Sequence, residues 1–145
     1  MQRNKYLEDL GLKIEDYGSN YIYKEKEGTN RRKLFEQERK DYGFDERETW
    51  SLDYYFAEWL YSRLMMYKEV ASNVVNLKYH KIEWKSKEIT QLEAIDILIN
   101  VSKDYILSEN DYIKDTIPLE EVNKIYNTFY ESMELWGKIL RYMWW

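Results

Sequence analysis

Residues 118–145, PLEEVNKIYNTFYESMELWGKILRYMWW, decide the fold. Val122, Tyr126, Phe129, Met133, Trp136, Leu140 and Met143 recur at alternating steps of four and three, the heptad spacing of a helix with one apolar seam. Pro118 suits a first helical position, where its missing N–H costs nothing. Trp144 and Trp145 follow, and so apolar an end is expected either to fold back on the domain or to meet a second copy. Seam and end together predict a homo-oligomer.

Two further helices read backwards from there. Thr90-Gln91-Leu92-Glu93 has the form of a capping box, and Leu92, Ile95, Leu98, Ile99 and Ile106 supply an apolar stripe behind it. Between Asp45 and Ala71, Leu52, Phe56, Trp59, Leu60, Leu64, Tyr67 and Val70 recur at three- and four-residue steps, which predicts a long helix burying that stripe. Asp45 with Glu48 has capping-box spacing for its first turn, and Thr49 or Ser51 offers a second start. From Leu77 the period drops to two. Leu77, Tyr79, Lys81 and Glu83 alternate with Lys78, His80, Ile82 and Trp84, and Lys85-Ser86-Lys87 would turn the chain into Glu88-Ile89-Thr90 as a small β-hairpin.

The N-terminal part is thinner. Asn4 to Leu10 has helical spacing, with Gly11 at the C-terminal glycine position. Gly18 to Asn30 reads as loop. Thr29 or Asn30 can cap a charged helix that ends near Gly43, whose apolar content of Leu34, Phe35 and Tyr42 suits a cover better than a core. The predicted fold is therefore α+β and predominantly helical: three long helices in a bundle-like layer, one hairpin and short N-terminal helices. At 145 residues this is one domain, with 1–42 as a helical cover and 43–145 as the core.

Composition removes whole chemistries. With 0 Cys there is no disulfide, thiolate metal site or cysteine nucleophile. No apolar run is long enough for a membrane span, and no signal-peptide region follows Met1, so a cytoplasmic protein is expected. The net charge of −5, from 22 Lys+Arg against 27 Asp+Glu, argues against general nucleic-acid binding. Arg31-Arg32-Lys33, the one dense basic run, is flanked by Glu36 and Glu38 and reads as a solvated helix face. No two of the 5 Gly are close enough for a phosphate loop. Aromatic residues, in contrast, are abundant: 15 Tyr, 6 Trp and 4 Phe can build a core or a binding surface.

The run 42–69, YGFDERETWSLDYYFAEWLYSRLMMYKE, resembles a family of small proteins encoded by tailed phages and prophages. Tyr79-His80-Lys81, the Thr90-Gln91 helix start and the Trp-rich end fit the same family, so the resemblance covers residues 42–145. It implies a phage-encoded accessory protein acting in the bacterial cytoplasm, and such proteins without enzyme motifs often counter host defence.

Candidate functional residues concentrate between Arg47 and Lys68. Trp50 beside Arg47 offers a stacking platform next to a cation, or a hydrophobic staple over the helix start. Arg63 falls on or beside the apolar stripe and must pair with a carboxylate such as Asp53 or Glu134, stack on a ring, or meet an anionic ligand. The candidate ligand set is Arg47, Trp50, Asp53, Arg63, Tyr67 and Lys68, with no catalytic residue, metal or cofactor. His80, the one histidine, reads as a packing or surface residue. Glu93 with Asp96 and Glu131 with Glu134 have the spacing of magnesium-binding pairs in helical nucleoside-triphosphate pyrophosphohydrolases, but not their order. The expected function is thus non-enzymatic: sequestration of a small anionic nucleotide-type signal, or stoichiometric inhibition of a host defence protein through exposed Tyr and Trp. The first needs a cavity of roughly 300 Å³ with converging cations; the second needs a flat or convex apolar patch.

Overall fold

The computed structural model describes residues 3–13 and 30–144. The expected Gly18–Asn30 loop, apart from Asn30, the Thr29 cap and Trp145 lie outside them. The elements are α1 (Lys5–Asp9), α2 (Asn30–Tyr42), a 3₁₀ turn (Glu46–Thr49), α3 (Leu52–Ala71), β1 (Lys81–Trp84), β2 (Lys87–Thr90), α4 (Gln91–Ile113), α5 (Leu119–Ile139) and a final 3₁₀ turn (Leu140–Tyr142). The fold is helix-dominated α+β, as the sequence predicts.

The chain forms two compact units, 1–56 and 57–145. In the first, Asn4 caps α1 by accepting from the backbone N–H groups of Tyr6 and Leu7, and Gly11 ends it at φ +85°. Gly43 ends α2 in the same left-handed conformation. The sequence places the internal division at 42/43, but α2 is tied to the following turn. Arg39 on α2 pairs with Asp45 at 2.6 Å and with Glu48 at 3.0 Å, and the Glu46 N–H donates to Glu38. Asp45 caps the turn, and the helix proper restarts at Leu52. Phe35 is fully buried, whereas Leu34 and Tyr42 are exposed, so α2 contributes one core ring and otherwise faces water.

The second unit is built on α4 against α5. Buried Ile95, Leu98, Ile99 and Ile106 of α4 meet Val122, Phe129, Leu135 and Ile139 of α5. The capping box at Thr90 forms as expected: the Glu93 N–H donates to the Thr90 hydroxyl at 3.1 Å and the Thr90 N–H to the Glu93 carboxylate at 2.6 Å. A left-handed Asp115 ends α4, with the Thr116 N–H reaching back to Asp111. Pro118 is the N-cap of α5 rather than its first residue.

The predicted seam of α5 holds only for its first half. Val122 and Phe129 are buried, but further along Ser132, Leu135 and Ile139 turn inward and Leu140 is 53% exposed. The C-terminal half of α5 contacts β1 as well as α4, so its buried face rotates toward the hairpin. The buried part of the seam, Val122 and Phe129, is used within the chain.

The hairpin pairs Ile82 with Ile89 and Trp84 with Lys87 in antiparallel register. Its two-residue loop, Lys85-Ser86, has both residues at positive φ. Alternation fails before Lys81: residues 77–80 are turns in which the Tyr79 N–H donates to Asn76. His80 packs as expected, its ring stacked on Tyr142 at 4.2 Å.

α3 departs most from expectation. The buried apolar residues are Tyr54, Ala57, Leu60, Tyr61, Leu64 and Ala71, while Leu52, Trp59 and Val70 of the predicted stripe are exposed. The helix is apolar on two faces, so periodicity alone does not choose between them. The buried face carries Ala57 and Ala71, both fully covered, where small side chains permit close approach.

Candidate functional site

The six sequence candidates separate into different environments. Arg47 is a core residue. Its guanidinium grips Asp45 through two hydrogen bonds of 2.9 and 2.8 Å and lies 4.3 Å from the Phe35 ring centroid. Burial works against ionisation of Asp45, but the Arg47 hydrogen bonds and the charges of Arg39 and Arg47 outweigh it, holding that carboxyl below the ordinary range. Burial raises Glu48 instead, with Arg39 only partly opposing.

Trp50 is half-exposed, and the Arg31 guanidinium lies 5.7 Å from its ring centroid. The buried Asp45 fixes the fork of Arg47 over Phe35. Asp53 is exposed in the first turn of α3.

In the second unit, Lys68 pairs with Asp96 at 2.6 Å. Burial pushes the Tyr67 hydroxyl above its ordinary pKa, with the Gln91 side chain pulling the other way. Arg63 is exposed, and its guanidinium lies 5.2 Å from the Trp59 ring centroid. Glu134 pairs with Lys138, and Arg63 makes no ion pair among the described residues. Of the three fates open to this cation, the ring stack is the one realised.

Around Arg63 the outer face of α3 is apolar. Trp59 is 43% exposed, Met66 56% and Val70 40%, and with Arg63 they form a stripe at steps of four, three and four. Trp136 of α5 meets Trp59 edge-on at 6.5 Å and extends the ring surface. Met66 lies outside the stripe that three- and four-residue spacing assigns to the core, so the sequence reading does not single it out. The presence of two apolar faces on one helix is the signal that could have found it.

The acidic pairs of the magnesium reading are spoken for individually: Glu93 by the Thr90 cap, Asp96 by Lys68, Glu131 by Lys85 and Glu134 by Lys138. Among the described residues no group of three or more His, Asp or Glu is arranged to hold a metal ion, and no helix is long and apolar enough to cross a membrane. A cavity of about 140 Å³ is lined by Val101, Asp104, Lys124, Ile125 and Thr128, none of them a candidate residue. It is about half the size that a nucleotide-like ligand needs, and its one cation, Lys124, pairs with Glu120. Comparison with family models, with characterised proteins and with solved structures finds no match to this chain.

Proposed function

We propose that this chain is a non-catalytic binding protein that docks stoichiometrically on a partner protein through the outer face of α3. One observation carries the reading: where a surface helix presents polar residues, α3 presents Trp59, Met66 and Val70 around a ring-stacked Arg63. Trp and Arg are enriched among the few residues that dominate interface energetics, the one for its large ring area and the other for its fork of hydrogen-bond donors. The resemblance of residues 42–145 supplies the setting, a phage-encoded accessory protein in the bacterial cytoplasm, and makes a host defence protein the fitting target.

Sequestration of a small anionic nucleotide is the second reading. It is favoured by the half-exposed Trp50 ring beneath Arg31, which could stack a base and hold a phosphate. Affinity capture from host extract, combined with native mass spectrometry, separates the two. The first reading expects a protein retained by the wild type and by Trp50→Ala but lost on Met66→Asp. A bound nucleotide lost on Trp50→Ala, with no protein retained, would put the second reading in front.

A further inference from the structure

Resting on the docking role of α3, we infer that the occupant of its outer face is an amphipathic α-helix of the partner that brings a carboxylate opposite Arg63. Trp59, Arg63, Met66 and Val70 follow one another at steps of four, three and four. That is one side of a helix–helix seam, about 16 Å long at 1.5 Å per residue, into which the ridges of a second helix fit at a shallow crossing angle. A helix therefore matches the stripe in both spacing and length.

The charge on the stripe specifies the rest. Arg63 sits within it, stacked on Trp59, and makes no ion pair among the described residues. Of the unit's carboxylates, Asp96 pairs with Lys68 and Glu134 with Lys138. A docked helix would take the guanidinium out of water, and an unpaired buried charge opposes association strongly. The partner must supply the anion. A guanidinium held by its face to a ring still presents its N–H edge, and the group that meets this edge with two hydrogen bonds is a carboxylate.

The test uses the full chain and a pair of designed helical peptides of about 18 residues, long enough to span the stripe with a turn to spare at each end. Both carry the same apolar face at three- and four-residue spacing, one with Glu at its centre and the other with Lys. Titration calorimetry on the wild type should show the Glu peptide binding about tenfold tighter than its Lys twin. Arg63→Glu should reverse the preference, and Met66→Asp should abolish binding of both. Equal binding of the two peptides, still lost on Met66→Asp, would overturn the carboxylate while leaving the docking face standing. No binding of either peptide at millimolar concentration would overturn both.

Discussion

The Asp45 carboxylate, with no exposed surface, accepts two hydrogen bonds from one edge of the Arg47 guanidinium, Nε and Nη2, only two residues away, and meets the Nε of Arg39 at 2.6 Å from the preceding helix. One anion thus gathers two cations and fixes the passage from α2 to α3. Asp45→Asn keeps the shape and removes the charge, leaving two arginines facing each other. The expected loss is about 3 kcal/mol, in the range for breaking a buried pair. Urea unfolding followed by tryptophan fluorescence measures it, and a loss below about 1 kcal/mol would mean that solvent screens the cluster.

The same cluster sets an acid response of two opposite signs. Asp45 has its native pKa below the unfolded value, so its stabilisation is complete above about pH 4 and is lost as pH falls through the lowered native value. Glu48 has its native pKa raised, so its ionised form costs stability at neutral pH and that cost is relieved as pH falls through the raised value. Stability curves of wild type and Glu48→Gln should therefore converge as pH drops from 7 toward about 4.5. Divergence over that interval would contradict the raised Glu48.

Arg63→Ala should leave the fold intact. The guanidinium is exposed and its one described interaction is the Trp59 ring, a contact of about 0.5–1 kcal/mol at such a site. Thermal melting should shift by a few degrees at most, whereas a fall equivalent to about 3 kcal/mol would mark Arg63 as part of the core.

Two turns carry side chains where the backbone favours glycine. Ser86 has φ +63° in the hairpin loop and Asp115 has φ +56° at the end of α4. Ser86→Gly and Asp115→Gly should each stabilise by about 1 kcal/mol by removing the Cβ from a left-handed conformation. Chemical denaturation that shows either variant less stable than wild type would refute the turn geometry.

The inward rotation of α5 predicts unequal costs for two leucines. Leu135→Ala empties a fully buried site and should cost about 2–5 kcal/mol, whereas Leu140→Ala, at a position the heptad pattern assigns to the seam, should cost less than about 1 kcal/mol. Equal costs would restore the unbroken seam.

Local chemistry was legible in the residues themselves. The Thr90–Glu93 capping box and the glycines that close α1 and α2 formed where the sequence puts them, and Pro118 and the hairpin loop fell within one residue of their expected places, because each depends on groups a few positions apart. Choices among faces were not legible. On α3, apolar residues on both sides satisfy the same three- and four-residue spacing, and only packing within the tertiary fold selected the side bearing Ala57 and Ala71. On α5, a strict heptad gave way where the hairpin covers a new side of the helix. The candidate site divides in the same manner. Sequence placed a cation among rings at Arg63, but several carboxylates and rings lie within reach of each cation, some two or four residues away and one, Asp96, far along the chain, and local spacing does not choose among them. The tertiary structure therefore decided that Arg47 closes on buried Asp45, that Lys68 meets Asp96, and that Arg63 remains at the surface on Trp59.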